Sequence, residues 1–464
     1  MQPPEIDLCK VDSYVIYLGE LETKNPSVAT KDIYSDFGVL LVPKGSVVSP
    51  GVALKLAEHR MQEPLDSSIG LSTRLNSKSL LHCFKQFLEK DDDLASLASD
   101  AEFEALLRHL CLQKEFPFAA MQKLTVMAYR LPDLFSRVLG VTLLACLSAQ
   151  QLKWHNDRIH ALFVSALFRD IGLLHLMPAD ELAKKVRYER NHEELQIHGL
   201  MSEKILNLEN RYTPEVLQAV RDHHERRDGA GFPRALSGAE VSDLAWMISV
   251  MDSLWLSREQ NAAWTSNRLA NLKPLLKINA NGDNGFPYRS LLSLIQKAGL
   301  EGDSLPSDVE YQTIATFLLN RNLVISQLYT QLMLLHEQVT ILDSGKDQTL
   351  ATLVSNTLEL IRDCGFGNFE TMALLIEEDP EMRYSSDELL ELDLSQTELF
   401  WRISRLSNLL RQRCAKGELL ASNSVVTDVL DEFQSLEEES DARSFLETKY
   451  MAQQALEADA KSTE

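Results

Sequence analysis

The histidines of this chain are concentrated in one part of the sequence. Seven of the eleven lie between residues 155 and 224, close to aspartates at positions 170 and 252. Imidazole and carboxylate groups are side chains that bind transition metals. This region is therefore where the sequence could do chemistry, provided that the fold brings these side chains together.

Four successive segments with helical periodicity carry these side chains. In each segment apolar residues recur at spacings of three and four, which predicts a helix with one buried face. Ionisable residues continue that face in every segment: Asp170 in the first, His198 in the second, His223 and His224 in the third, and Asp252 in the fourth. We expect these five side chains to converge in one pocket.

Burial of these groups needs compensation, because a carboxylate in an apolar environment is costly unless it is paired or bound to a cation. A single inward histidine is more often a hydrogen-bonded core residue than a ligand, so that interpretation stays open for each residue taken alone. Three histidines and two aspartates on converging faces instead favour a site for Mn, Fe, Zn or Ni.

Two motifs in this region resemble the signature of a bacterial family. Residues 223–233 read HHERRDGAGFP, which resembles the HHExxDGxGYP signature of HD-GYP proteins with phenylalanine in place of tyrosine. Residues 166–172 read ALFRDIG, which resembles the ALLHDIG segment of that family. The resemblance covers about residues 110–300.

The resemblance implies a helical domain that holds two or three metals and hydrolyses the second messenger cyclic di-GMP. Metal-bound hydroxide would attack phosphorus, and the metals would neutralise the phosphate charge. It also implies roles for the five residues: Asp170 would bridge metals and be the catalytic candidate if the protein is active, His198, His223 and His224 would be ligands, and Asp252 would close the primary site.

The loop of the signature is expected to contact the substrate. The residues concerned are Asp228, Gly229, Gly231, Phe232 and Pro233. An alternative interpretation is structural, because glycines shape turns and proline stiffens them.

At four further positions the chain lacks side chains that the resemblance implies for metal or phosphate binding. Leu131 and Phe135 stand where the resemblance predicts a glutamate and a histidine ligand, and Arg169 replaces the histidine of the HD pair. Leu173 replaces a lysine that should face phosphate. An arginine cannot lose its charge, so Arg169 adds a cation beside the metal site, or it pairs with Asp170 in place of a metal.

Three hypotheses about function follow from these departures. The first is a degenerate HD-GYP module that is catalytically weak or inactive and acts by binding cyclic di-GMP or a signalling protein. The second is an active phosphodiesterase with a reduced metal site, and the third is an adaptor that uses only the fold. We expect one divalent transition metal (Fe, Mn, Ni or Zn) or none.

The sequence predicts a mainly α protein with several regions. A glycine- and proline-bounded apolar run at 37–45 predicts a small β-containing module at the N-terminus, either independent or packed on the main domain. The predicted regions are 1–65, the β-containing module; 66–109, a helical linker; 110–300, the HD-type helical domain; 301–450, a C-terminal helical bundle or coiled coil; and 451–464, a disordered tail.

The C-terminal region contains a heptad pattern. Apolar residues at 325, 328, 332, 335, 339 and 342 alternate spacings of three and four. Such a seam either packs inside a helical bundle or joins two copies of the chain in a coiled coil. The sequence does not choose between these alternatives.

Composition limits the partners and the compartment. The formal net charge is −22, so we expect no binding to nucleic acid, whose phosphates it would repel. The six cysteines form no CxxC pair and the N-terminus lacks a signal peptide, which predicts a cytoplasmic protein. The apolar run at 138–146 is too short to span a bilayer, so no membrane insertion is expected.

Overall fold

The computed structural model describes residues 13–21, 25–65, 68–113, 115–185, 195–229, 231–261, 268–302, 311–342, 348–366, 368–377, 379, 383–415 and 431. They are mainly helical, as predicted. They belong to two compact units: the first contains Met1–Arg226, Gly231–Ala235 and Ala239–Leu256, and the second contains Arg227–Ala230, Leu236–Gly238 and Ser257–Glu464.

The N-terminal part of the first unit combines two helices with short strands. Strands β1 and β4 pair antiparallel, with Val28 opposite Gly70, and β2 pairs antiparallel with β3. Ser49 caps α2 with its side chain, and Pro50 occupies the first turn, where its missing N–H costs nothing. The elements are α1 (Ser13–Glu20), β1 (Ser27–Ala29), β2 (Ile33–Tyr34), β3 (Leu40–Val42), α2 (Pro50–Ala57) and β4 (Ile69–Leu71).

The predicted boundary of the β-containing module at residue 65 is corrected by the strand pairing. Strand β4 lies in the predicted helical linker 66–109, yet it completes the sheet with β1. Its middle residue, Gly70, lies close to the side chain of Thr30. The N-terminal elements also belong to the same compact unit as the helices that follow, which favours a region packed on the main domain over an independent module.

The helical part of the first unit is built around α7. Fifteen of the twenty residues of α7 are buried, because its sequence is apolar on every side. The helices are α3 (Ser77–Leu88), α4 (Asp92–Leu97), α5 (Ala101–Leu112), α6 (Phe118–Arg130), α7 (Pro132–Gln151), α8 (Asn156–Phe168), α9 (Ala179–Lys185), α10 (His198–Leu206), α11 (Pro214–Arg221) and α12 (Asp243–Asn261), with α12 assigned to this unit through Leu256.

Helix α7 is also the one helix among the described residues that is long and apolar enough to cross a membrane. Of its most apolar window, 83% is buried inside the protein. Its apolar surface is thus covered by other parts of the chain.

The second unit is a set of helices around one main apolar core. Ile325, Leu328, Leu332 and Leu335 of the heptad seam are buried in it, together with residues of the two other long helices. This packing favours the bundle over the dimeric coiled coil; the side chains at 339 and 342 lie outside the described ones. The helices are α13 (Lys273–Ile278), α14 (Phe286–Lys297), α15 (Tyr311–Leu342), α16 (Gln348–Asp363), α17 (Phe369–Leu375) and α18 (Ser386–Ala415).

The division between the units falls near residue 256, well before the boundary at 300 that the sequence predicted. The reason is that α13 packs with the C-terminal helices. Ile278 contacts their apolar core, and Lys277 pairs with Glu391 of α18 at 2.7 Å. The predicted disordered tail 451–464 lies outside the described residues.

Candidate metal centre

Asp170 lies at the junction of two helices. Helix α8 ends at Phe168, Arg169 caps it, and Asp170 precedes a 3₁₀ helix, Ile171–His175. Residues 170–177, here called the 170–177 segment, and the preceding Arg169 are fastened to α10 by one hydrogen bond each. The Gly172 N–H donates to Ser202 Oγ at 2.8 Å, and that hydroxyl donates to the Arg169 carbonyl at 2.6 Å.

The three histidines come from one helix start and one turn. His198 is the first residue of α10. The prediction that His223 and His224 continue a helical face is wrong, because α11 ends at Arg221 and both histidines lie in the following turn. The turn nevertheless directs both rings to the side of His198, with ring centroids 4.9 and 5.0 Å away.

The structure brings Asp170, His198, His223 and His224 together. One ligand atom from each lies within 4.8 Å of all the others, and all four residues are buried. The Nε2 atoms of His198 and His223 are 3.0 Å apart, and each is 3.4 Å from Asp170 Oδ1. Ligands about 2.1 Å from one cation have separations of this size.

The hydrogen bonds of two rings show which nitrogens face the centre of this cluster. His198 Nδ1 lies 2.5 Å from the Leu195 carbonyl, and His223 Nδ1 lies 2.7 Å from the Val220 carbonyl. A carbonyl only accepts, so both Nδ1 atoms carry the proton, and in the neutral rings both Nε2 atoms present lone pairs. Two nitrogen lone pairs and a carboxylate oxygen that converge with no proton between them fit a divalent cation. In metal sites generally, a hydrogen bond from the other ring nitrogen to a backbone carbonyl orients the metal-bound imidazole.

Asp252 is paired with two arginines, and its expected role as a metal ligand stays a prediction. Arg137 donates to both of its oxygens, from Nε at 3.0 Å and from Nη2 at 2.6 Å. Arg169 Nη2 also lies 3.0 Å from Asp252 Oδ1 and 3.0 Å from Asp170 Oδ2. Two guanidinium groups thus neutralise Asp252, and Arg169 joins it to Asp170.

These ion pairs keep both carboxylates charged. Burial alone would raise the pKa of Asp170, but the charge of the Arg169 guanidinium opposes burial and holds that pKa well below its ordinary value. Burial likewise opposes ionisation of Asp252, and Arg137 and then Arg169 outweigh it, so its pKa is also lowered. Both groups are therefore carboxylates at neutral pH.

The four positions that lack the implied metal- or phosphate-binding side chains are buried. Arg169 and Leu173 have no exposed surface, and Leu131 and Phe135 are 5% and 9% exposed near the start of α7. Leu173 is enclosed in the 3₁₀ helix rather than presented to a ligand. That Phe135 lines the metal cluster stays a prediction.

The loop after the histidines supports His224. The Phe232 ring stacks on the His224 ring with centroids 4.6 Å apart, and its N–H donates to the His224 carbonyl at 3.3 Å. Glu225 is buried and accepts the Arg234 N–H at 2.5 Å. A Cβ on Gly231 would lie 2.4 Å from the Arg226 nitrogen, so only glycine fits there. The Phe232–Pro233 peptide bond is cis.

Two of the predicted substrate-contacting residues, Asp228 and Gly229, belong to the second compact unit. Asp228 forms an isolated antiparallel bridge with Ser237. Gly229 has a φ of 79°, in the left-handed region that favours glycine. These features support the structural interpretation of the loop, and a substrate contact stays a prediction.

Arg137 is a buried residue beside the cluster for which the sequence indicated no role. Its partner Asp252 lies 115 positions away, so no local pattern connects them. A signal was present, because Arg137 is the only cation in the twenty residues of α7, which are otherwise mainly apolar. A lone buried cation of this kind requires an anionic partner.

Comparisons with known proteins agree with this geometry. The family described as HD domain matches residues 109–270. The 3'3'-cGAMP-specific phosphodiesterase 1 of Vibrio cholerae serotype O1 is 27% identical over 128 residues, which is 27% of this chain and 29% of that protein. The chain thus matches less than a third of that relative's length, and no solved structure matches it. The segment that carries the metal cluster is an HD-family domain.

Proposed function

We propose that this HD domain is a degenerate, HD-GYP-type module that holds at most one divalent transition metal. In this proposal the domain hydrolyses cyclic dinucleotides weakly or not at all, and it signals by binding a nucleotide or a partner protein. The resemblance of residues 223–233 to the HD-GYP signature and the similarity to a phosphodiesterase support a common origin of this module with metal-dependent phosphodiesterases.

The position of Arg169 is the observation that carries this proposal. Its guanidinium group has no exposed surface and contacts the carboxylates of Asp170 and Asp252. A second divalent cation beside Asp170 would be repelled by this fixed charge, and arginine cannot give up its proton to admit it. Arg169 therefore takes the electrostatic role that a second metal has in a two-metal phosphodiesterase.

A single residual metal is compatible with the remaining ligands. Asp170, His198, His223 and His224 would hold it, and it would supply polarisation of phosphate and activation of water. Because this set is complete for one ion, a metal-dependent phosphodiesterase with a reduced site is the second candidate function.

Cyclic dinucleotides are the proposed ligand class. The relative from Vibrio cholerae is named for 3'3'-cGAMP, and the signature at 223–233 resembles that of proteins that hydrolyse cyclic di-GMP. Both compounds are cyclic dinucleotides with two phosphodiester groups, so the two similarities point to one chemical class of ligand. A protein partner is the alternative.

The test uses the full chain with cyclic di-GMP and 3'3'-cGAMP in the presence of Mn²⁺ or Fe²⁺. Calorimetry measures binding, and chromatography of the nucleotides measures hydrolysis. We expect binding of at least one nucleotide with little or no turnover. The double variant Phe135→His/Arg169→His should gain turnover, because it restores one ligand and removes the competing cation.

The matched control is Arg211→His, which changes an arginine whose side chain is 46% exposed and should alter neither quantity. Robust turnover by the unmodified protein that is abolished by His223→Ala would contradict the proposal and establish the phosphodiesterase. Absence of both binding and turnover would favour a module that uses only its fold to contact other proteins.

A further inference from the structure

Helix α1 contacts the segment that carries Asp170. The Tyr14 ring stacks on His175 with centroids 5.0 Å apart and planes at 25°. The Tyr17 hydroxyl donates to the Met177 carbonyl at 3.0 Å. Both tyrosines are almost completely buried, so α1 holds the 170–177 segment at two points near its end.

The same tyrosines are tied to the helical domain and to the sheet. The Lys123 ammonium lies 3.9 Å from the centre of the Tyr14 ring, and Gln122 Nε2 donates both to the Tyr14 hydroxyl at 3.1 Å and to the Ile69 carbonyl in β4 at 3.0 Å. Ser27 of β1 donates to the Leu18 carbonyl of α1 at 2.8 Å. Helix α1 is thus joined directly to β1 and through Gln122 to β4, so a change in the β1–β4 pair should reach Tyr14.

The metal centre lies at the other end of the 170–177 segment. Asp170 begins the segment, and Gly172 packs so closely on α10 that a Cβ would lie 2.3 Å from the His198 carbonyl. Residues 170–177 therefore lie between α1 on one side and the start of α10 on the other. With so little free space, loss of the contacts to α1 should alter the distance between Asp170 and His198.

We propose that docking of the N-terminal region, residues 13–71, regulates the metal centre through the 170–177 segment. The contact of α1 with this segment fixes Asp170 against His198 and His223, and release of α1 loosens them. The coupling is reciprocal, so a ligand that closes the centre also tightens α1. The metal part of this inference rests on the proposed function, whereas the mechanical coupling does not.

The experiment measures hydrogen–deuterium exchange in the full chain without metal. The variants are Tyr14→Leu, which removes the ring contacts, and Tyr17→Phe, which removes only the hydroxyl. We expect exchange of residues 171–177 and 198–206 to rise by at least about fivefold, the lower end of usual coupling between sites. Tyr129→Phe, a change at a tyrosine that is 42% exposed, is the matched control and should leave these residues unchanged.

A second measurement adds Zn²⁺ or Mn²⁺. Calorimetry should show weaker metal binding by both tyrosine variants, and metal should slow the exchange of residues 13–21 in the unmodified chain but not in His198→Ala. If the unmodified chain binds no metal, the metal part of this inference fails, because the proposed function allows one ion or none, and the first measurement still decides the coupling. Faster exchange confined to residues 13–21 in the tyrosine variants would overturn the proposal.

Discussion

Among single residues, Arg169 has charged contacts with both aspartates at the candidate metal centre. It is fully buried and contacts two carboxylates, and its Nη1 donates to the Ala166 carbonyl at 2.8 Å. Replacement of one partner in a buried ion pair leaves the other charge uncompensated, which is more costly than the pair is stabilising. In the proposed function Arg169 accounts for a reduced metal site, and its contacts also support the fold.

Arg169→Met should destabilise the first unit by about 3 to 5 kcal/mol, because Asp170 loses a cation and Asp252 keeps only Arg137. Urea unfolding followed by hydrogen exchange in α7 and α8 measures this change. Addition of Zn²⁺ should recover part of the loss, since a divalent cation can then compensate Asp170. Arg211→Met, at an exposed ion pair, should cost no more than about 1 kcal/mol. Equal effects of the two changes would contradict the importance assigned to Arg169.

Much of the cluster was predictable from residue types and positions. Asp170, His198, His223 and His224 converge as the sequence suggested, although His223 and His224 lie in the turn after α11 rather than on its buried face. Arg137 could not be placed, since its contact with Asp252 joins positions far apart in sequence. The pairing of Asp252 with Arg137 and Arg169 could not be predicted for the same reason, because no local sequence pattern indicates it.

At the scale of elements, the junctions between helices position the chemical groups. Asp170 follows the end of α8, His198 begins α10, and His223 follows the end of α11. Apolar periodicity predicts the presence of a helix well but its last residue poorly, which is why His223 and His224 were assigned to a helix. Strand β4 was missed for a related reason, because three residues are too few to show alternation.

The close contact of Gly172 with α10 gives a prediction at this scale. Gly172→Ala would place a Cβ 2.3 Å from the His198 carbonyl and 2.8 Å from Met201 Cβ. The 170–177 segment and α10 must then separate, so we expect destabilisation by about 1 to 3 kcal/mol and weaker metal binding. Thermal unfolding and calorimetry measure the two effects.

The control for this prediction is Gly51→Ala in α2. A Cβ there meets nothing within 4 Å, so alanine should be neutral or stabilising by up to about 1 kcal/mol. Unchanged metal affinity in Gly172→Ala would show that the contact between the segment and α10 does not control the centre.

The heptad seam of α15 gives a second prediction about an element. Leu332 is fully buried among residues of α16 and α18, whereas Leu334 is 44% exposed. Leu332→Ala should therefore destabilise the second unit by about 2 to 5 kcal/mol. Leu334→Ala should change stability by less than about 0.5 kcal/mol, as most surface substitutions do. Denaturant unfolding, followed by hydrogen–deuterium exchange of the amides in α16, measures the loss of stability in each of the two variants.

At the scale of the whole molecule, the chain provides within itself the packing that a dimeric coiled coil would otherwise supply. The described seam residues of α15 contact α16 and α18 of the same chain. We expect the unfolding midpoint of the second unit to be independent of protein concentration, because stability gained by association depends on mass action. A midpoint that rises with concentration across a hundredfold range would instead favour dimerisation through the heptad region.

The number of metal ions bound per chain shows whether Arg169 replaces one metal. Native mass spectrometry of the full protein, loaded with Mn²⁺, Fe²⁺ or Zn²⁺ and then desalted, gives this number for the unmodified chain and for Phe135→His/Arg169→His. We expect at most one ion in the unmodified chain, lost in His223→Ala, and a higher number in the double variant. Two ions held tightly by the unmodified chain would show that Arg169 does not replace a metal.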